Sequence, residues 1–269
     1  MPWGVHMKKL IAALALTAAF TGSAVAADLG ARPYTKAPAP IAPVYNWTGF
    51  YIFGGGGGGL WAADQNVQTT VGGFPLSIDH RQGGSGWFGT VGLGYDWQFN
   101  GPWVFGLFAD GQFGSIKGTL QDPFNQVIAP IKLEDSWAVG ARVGYLVAPN
   151  VLSYVNGGYS GSHWSGTTLL DEFSGAPVGG HTNSFNRNGW FVGGGVENSL
   201  NIFGIQSPGW FMKTEYRSAF YDRKSVPLLV DGTNAPVGTS LRFNSWNQTI
   251  STSLVYRFNW GGAPVSAKY

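Results

Sequence analysis

The sequence predicts an all-β protein, an eight-stranded antiparallel up-and-down transmembrane β-barrel. Composition, period-two alternation and the spacing of the connections each favour this class. The 269 residues include 42 Gly, 12 Trp, 11 Tyr and 18 Phe, and 11% of them are charged, against about 25% in ordinary soluble domains. Past residue 30, no apolar run reaches the roughly 18 residues that suggest a spanning helix. In a transmembrane barrel, apolar and polar residues alternate, which explains a mean hydropathy of -0.01.

The chain begins with the features of an export signal. Lys8 and Lys9 precede an apolar segment, residues 10–20, and small residues at Ala24 and Ala26 follow it. This order of basic, apolar and small residues is that of a cleavable signal peptide. We therefore expect residues 1–26 to be removed, and we interpret residues 1–6 as a mis-assigned start upstream of Met7.

Residues 27–46 are predicted to form a periplasmic spacer. The segment contains Pro33, Pro38, Pro40 and Pro43 with Ala between them, a composition that favours extended polyproline geometry over a packed core. Of the 16 basic residues in the chain, two lie in the signal peptide, which leaves 14 basic residues against 14 acidic ones. This balance argues against a nucleic-acid partner, because nucleic-acid binders carry a basic excess on one face.

The barrel itself is predicted to span residues 47–260, with residues 261–269 as a C-terminal extension. Eight stretches have strand character, and each is long enough for a tilted strand to cross a bilayer, which takes about 9–11 residues. The predicted strands are 47–62, 85–99, 102–116, 135–148, 150–164, 188–201, 209–222 and 245–259.

Alternation within these strands predicts which side chains face lipid. In the fourth, Trp137, Val139 and Val143 share one face, and Arg142 lies on the other. Basic residues facing lipid at the midplane would cost about 2–4 kcal/mol each, so we expect charges to point inward and pair across the narrow lumen. The alternative is a narrow pore whose charges set ion preference. The predicted lumen charge network comprises Asp96, Asp110, Arg142, Glu197, Lys213, Glu215, Arg217 and Arg257.

The connections alternate between short and long. Residues 100–102, 148–150 and 203–208 are short, whereas 63–84, 117–134, 165–187 and 223–244 are long and polar. Short periplasmic turns and longer external loops are typical of outer-membrane barrels, and an even strand number leaves both ends in the periplasm. We expect the four long loops to be the surface that contacts a host or another external ligand.

Aromatic residues recur near the strand ends. Because Trp prefers the membrane–water interface, two such rows predict aromatic girdles; the alternative is aromatic core packing. The predicted girdle residues are Trp47, Trp61, Trp87, Trp97, Trp103, Trp137, Trp164, Trp190, Trp210, Trp246 and Phe258.

The opening of the first strand carries a family resemblance. Residues 45–51, with the sequence Tyr-Asn-Trp-Thr-Gly-Phe-Tyr, resemble the small outer-membrane immunogenic proteins of alphaproteobacteria, which are opacity-protein-like eight-stranded barrels. Residues 36–40 and 255–262 are similar to the same family. The resemblance implies a surface-exposed, antigenic and sometimes porin-like envelope protein. Many proteins of this family end on the aromatic residue of the last strand, whereas in this sequence eleven residues follow Phe258.

No pattern in the sequence predicts catalysis. The glycine run at 54–59 lacks the Gly-Lys-Ser/Thr of a phosphate loop, and the chain has no cysteine. His163, with Ser160, Ser162 or Ser165 nearby, is the nearest approach to a nucleophile–base pair, but no third residue to orient the base can be identified. We therefore predict a protein that is not an enzyme, with no catalytic, cofactor-binding or metal-binding residues.

Together these observations predict an outer-membrane protein of a Gram-negative bacterium with a structural and surface-interaction role. A small passive porin-like channel is the main alternative, and a lipid- or peptide-hydrolysing outer-membrane enzyme is a distant one. The expected partners are outer-membrane lipid, lipopolysaccharide and the barrel-assembly machinery.

Overall fold

The computed structural model describes residues 45–122, 125–205 and 207–258. All of these lie in one compact unit. The predicted signal peptide, most of the spacer and the C-terminal extension lie outside the described residues, so those boundaries remain predictions. Within the described ranges, no helix is long and apolar enough to cross a membrane.

Eleven strands and one 3₁₀ turn, Leu200–Phe203, make up the described chain. The strands are β1 Gly49–Thr69, β2 His80–Phe99, β3 Trp103–Asp122, β4 Val127–Ala148, β5 Val151–Trp164, β6 Thr167–Asp171, β7 Pro177–Thr182, β8 Phe185–Ser199, β9 Trp210–Tyr221, β10 Lys224–Val230 and β11 Pro236–Phe258.

Eight of these strands close into a ring. Neighbours pair antiparallel in the order β1-β2-β3-β4-β5-β8-β9-β11, and β11 returns to pair with β1 over nearly its whole length. Closure satisfies the backbone hydrogen bonds that an open sheet would leave exposed in lipid. The predicted eight-stranded antiparallel barrel is confirmed.

The three shorter strands continue the wall of the barrel on its loop side. Each is separated from a strand of the ring by a break of two residues. Residues 165–166 lie between β5 and β6, residues 183–184 between β7 and β8, and residues 222–223 between β9 and β10. The short strands pair in the order β11-β10-β7-β6-β4. These three strands and the loop-side parts of β1, β2, β3, β4 and β11 therefore form a second tier, again of eight strands. We call it the upper tier, and the ring on the side of the tight turns the lower tier.

The predicted long loops are consequently much shorter in the structure. Most of 63–84, 117–134, 165–187 and 223–244 is strand, and the connections shrink to 70–79, 123–126, 172–176 and 231–235. The prediction of long polar loops was wrong in extent. These strands carry polar side chains such as Arg81 and Lys117 on their exposed face, so their composition resembles that of a loop.

The opposite end of the barrel has tight turns, as predicted. Residues 100–102 connect β2 to β3. Asn100 and Gly101 have φ of 47° and 75°, the left-handed conformation that Gly and Asn adopt more readily than other residues. The longer connection at this end joins β8 to β9 and contains the 3₁₀ turn, where the Ser199 hydroxyl accepts a hydrogen bond from the Asn201 amide at 3.2 Å.

The polarity of the wall reverses between the two tiers. In the lower tier, apolar side chains face outward, as Val139 and Val143 do at 53% and 43% exposure. In the upper tier the same strand turns Ile131 and Leu133 inward, where both are buried. A register shift between Leu133 and Asp135 in the pairing with β5 accommodates this change of face. The upper tier thus resembles a water-soluble barrel, in which apolar side chains face the interior.

Candidate functional site: the barrel lumen

The lower tier contains a closed ring of charges near its turn end. Arg142 contacts Asp96 through Nε and Oδ1 at 3.0 Å, and Glu197 through Nη1 and Oε2 at 3.1 Å. Arg257 contacts Glu197 through Nε and Oε1 at 2.7 Å, and its Nη2 lies 2.7 Å from Asp96 Oδ2. Two guanidinium groups and two carboxylates therefore neutralise one another inside the barrel.

A second charge cluster involves strand β9. Arg217 reaches both carboxylate oxygens of Asp110 at 2.8 and 2.6 Å, and it contacts Glu215 at 2.8 Å. Glu215 also accepts from the Tyr154 hydroxyl at 2.8 Å, and Lys213 Nζ lies 3.7 Å from it. The cluster holds two positive and two negative side chains, so it too is balanced.

The structure brings together all eight residues of the predicted lumen charge network. Each is buried, with at most 7% of its surface exposed. Aromatic rings fill the space between the charges: the Arg142 guanidinium lies 4.5 Å from the Tyr51 ring centre, and that of Arg217 lies 4.6 Å from the ring centre of Phe191. Cation–π contacts of this kind strengthen as water is removed.

Arg187 is a further lumen residue, outside the predicted charge network. It is 2% exposed, its guanidinium lies 5.2 Å from the Phe243 ring centre, and neither terminal nitrogen has a hydrogen-bond partner among the described residues. The predicted strand begins at residue 188, so it places Arg187 in the preceding loop. The alternation of Phe185, Arg187 and Gly189 on one face was the signal that could have extended the strand.

An aromatic plug closes the upper part of the lumen. We define it as Trp61, Trp164, Phe185 and Phe243. Trp61 and Trp164 pack edge to face with ring centres 5.2 Å apart, and Phe243 lies 5.2 Å from Trp164. All four side chains are buried within a larger apolar cluster.

The plug corrects part of the girdle prediction. Trp61 and Trp164 are 1% and 0% exposed and lie inside the barrel, as does Trp47 at its turn end. The prediction placed them at the lipid interface because of their position along the strand. Their facing decides otherwise, since Trp61 shares the inward face with Tyr51 and Phe53.

The other predicted girdle residues lie on the outside of the wall. Trp87 and Trp190 are 80% and 53% exposed at the outer end, and Trp246 and Phe258 are half-buried. Trp190 also stacks on Phe220, with ring centres 4.5 Å apart. The exposed tryptophans of this set are Trp87, Trp97, Trp103, Trp137, Trp190 and Trp210.

His163 does not pair with a serine in the described structure. Its Nδ1 lies 2.5 Å from Asn186 Oδ1, whereas Ser160 donates to the Trp137 carbonyl and Ser162 accepts from Trp164. Ser165 accepts from the Lys132 amide. Among the described residues, no three His, Asp or Glu side chains are grouped so that they could hold a metal ion.

Comparison with known proteins places these features in context. The chain is 29% identical over 264 residues to the 31 kDa outer-membrane immunogenic protein of Brucella melitensis biotype 1, and the alignment covers 94% of this chain and 100% of the relative. The protein of the same name from Brucella suis biovar 1 matches with the same identity and coverage. No protein-family model matches the chain.

Solved structures of outer-membrane proteins also resemble it. OprG of Pseudomonas aeruginosa has a TM-score of 0.48 at 10% identity, covering 79% of this chain and 98% of OprG. A major outer membrane protein of Thermus thermophilus has a TM-score of 0.41 at 11% identity, covering 76% of this chain and 99% of that structure.

Proposed function

We propose that this chain, an outer-membrane β-barrel homologous to the 31 kDa outer-membrane immunogenic protein of Brucella, is a closed barrel with a structural and surface-interaction role. The buried, balanced charge network carries the proposal. Eight charged side chains and the rings between them occupy the lumen where ions would have to pass. An eight-stranded barrel has an interior that side chains can just fill.

The second tier supports the surface role. Its connections expose large apolar side chains, with Val71 at 87%, Phe74 at 69% and Phe173 at 77%. Exposed apolar side chains at loop tips are frequent in binding surfaces. We infer that the tips of 70–79 and 172–176 contact host or other external ligands.

The outer face of the second tier suits lipopolysaccharide. Arg81, Lys117 and Lys132 lie on outward faces just above the outer girdle, where anionic headgroups would meet them. We propose that the headgroup region of the outer leaflet contacts these side chains. We also propose that the barrel-assembly machinery inserts the chain, and that no catalytic group or cofactor takes part in its function.

Single-channel recording in planar bilayers tests the closed barrel. We expect the wild-type protein to give no reproducible conductance steps. Replacing charge and ring together, as in an Arg142→Ala, Tyr51→Ala double variant, removes filling side chains, so the folded variant should give small conductance steps. A matched control is Val139→Ala, which shortens a lipid-facing side chain on the same strand. Defined steps from the wild type would overturn the proposal in favour of a passive pore.

A further inference from the structure

The upper tier encloses a cavity above the aromatic plug. Its volume is about 450 Å³, within the range of ligand pockets, about 300–1,000 Å³. It is about three times the size of the engineered apolar cavity that takes up one benzene. Apolar side chains from six strands line it: Val67, Leu120, Ala129, Leu169, Leu228 and Leu241.

Two residues of the cavity lining carry unpartnered polar atoms. Gln65 and Thr182 line the cavity and are each 4% exposed, yet Gln65 Oε1 and Thr182 Oγ1 have no hydrogen-bond partner among the described residues. Leaving a buried polar group unsatisfied costs about 1–3 kcal/mol. Unpartnered atoms on residues that line an apolar cavity favour a ligand that carries a polar group.

The orientation of the Gln65 amide is fixed by its neighbours. Its Nε2 donates to Gln82 Oε1 at 2.8 Å and to the Gln121 carbonyl at 3.1 Å. Both partners are acceptors, so the amide cannot be reversed without losing both bonds. The free atom is therefore an acceptor, and the Thr182 hydroxyl beside the same cavity can donate.

The charge around the cavity narrows the ligand class further. Asp122 lines it, and Glu172 contacts Gln121, another lining residue. These carboxylates disfavour an anionic ligand, while the buried partners, an amide and a hydroxyl, are neutral. We propose that the cavity binds a neutral amphiphile, an aliphatic chain that ends in a hydroxyl group. Gln65 Oε1 and Thr182 Oγ1 are the two unpartnered polar atoms that the lining residues offer to this hydroxyl, as acceptor and donor respectively.

The plug separates this binding site from the lower lumen. Leu120 and Ala129 line the cavity and also belong to the apolar cluster that contains Trp61 and Trp164. The aromatic plug thus forms the base of the site. Ligand binding there is independent of whether the lower barrel conducts.

Binding can be tested with 1-octanol on the full barrel in lipid nanodiscs, with methyl groups of Leu and Val labelled for NMR. We expect saturable shifts of the Leu120, Leu169 and Leu241 methyl groups with 1-octanol. Octanoate and octane should bind at least threefold more weakly, because one carries a negative charge and the other lacks the hydroxyl. A lack of saturable shifts, or equal affinity for octanoate, would overturn the proposal.

Variants separate the site from partitioning into lipid. Thr182→Val should weaken 1-octanol binding roughly three- to tenfold, the loss of about one hydrogen bond, and leave octane unchanged. Thr168→Val, on an exposed position of the neighbouring strand β6, is its matched control. Leu120→Trp should abolish saturation, whereas Leu254→Trp on the lipid face should not. Equal effects of Thr182→Val and Thr168→Val would refute the assigned hydroxyl site.

Discussion

Individual glycines on the inner face of β1 allow the barrel to close. A Cβ added at Gly57 would overlap the Ile250 carbonyl oxygen of β11, whereas one added at Gly54, on the lipid side, would come no closer than 3.9 Å to any atom. The glycine run therefore permits close approach of β1 and β11 where they pair. A phosphate loop is not needed to explain it.

Gly57→Ala should accordingly weaken the seam between β1 and β11. Overpacking of this kind typically costs about 1–3 kcal/mol, so the variant should unfold at lower urea concentration and give less of the heat-modifiable folded band on gels. Gly54→Ala serves as the control and should behave like the wild type. Equal stability of the two variants would contradict the close approach of the strands.

The paired charges of the lower lumen should depend on one another. Arg142→Met leaves Asp96 and Glu197 to share Arg257, and breaking a buried ion pair typically costs about 3–5 kcal/mol. Adding Glu197→Gln restores charge balance, so the double variant should be more stable than the single one in urea unfolding. Arg81→Met, which removes an exposed ion pair with Asp64, should change little. A double variant less stable than Arg142→Met would contradict the network.

Whether a side chain points into the lumen or outward could be predicted from the sequence better for charged residues than for tryptophans. A charged side chain that faces lipid costs free energy, so alternation along the strand is enough to predict that residues such as Arg142 and Lys213 face the lumen. Tryptophan is enriched at membrane interfaces and also packs in protein interiors. Position along the strand therefore could not distinguish Trp87, on the outside, from Trp61, in the plug.

The hairpin of β6 and β7 shows why the second tier escaped prediction. Its strands are five and six residues long, and they alternate less clearly than the membrane strands because β6 has leucines at two adjacent positions and β7 has two consecutive glycines. Short strands of this kind gain their stability from pairing with β4 and β10. That pairing is a property of the assembled wall and is not visible in the local sequence.

The turn of this hairpin depends on the ionised Asp171 side chain. Its Oδ1 accepts from the Ser174 amide and hydroxyl, both at 2.7 Å, and from the Phe173 amide at 3.1 Å. The hydrogen bonds from Ser174 and Phe173 hold the pKa of Asp171 below its usual value. Stabilisation of the turn is thus fully present above the ordinary carboxyl pKa and is lost as the pH falls through the lowered one.

We therefore expect protection of the Ser174 amide from hydrogen exchange to decline only at acidic pH, below the ordinary range of aspartate titration. Exchange-corrected NMR between neutral and acidic pH would measure it. Asp171→Ala should remove both the protection and its pH dependence, while the amides of the tight turn at 100–101 should be unaffected. Protection that survives in Asp171→Ala would show that another contact holds the turn.

At the scale of the whole molecule, two tiers of opposite polarity define how deeply the barrel sits in the membrane. Apolar side chains such as Leu107 and Val139 face outward in the lower tier, and Lys117 and Thr119 are exposed in the upper one. The transfer of apolar surface into lipid fixes the lower tier in the bilayer. We therefore expect the outer girdle to mark the boundary and the second tier to stand in water.

This boundary can be mapped by labelling, because the native chain has no cysteine. Single cysteines at Leu107 and Val139, labelled with a spin probe in nanodiscs, should be accessible to dissolved oxygen and protected from a water-soluble nickel complex. Cysteines at Lys117 and Thr119 should show the reverse. Leu107 and Lys117 lie on the same face of β3, so depth alone separates them. Lipid-like accessibility at Lys117 and Thr119 would mean that the membrane covers the second tier as well, and the inverted polarity would then need another cause.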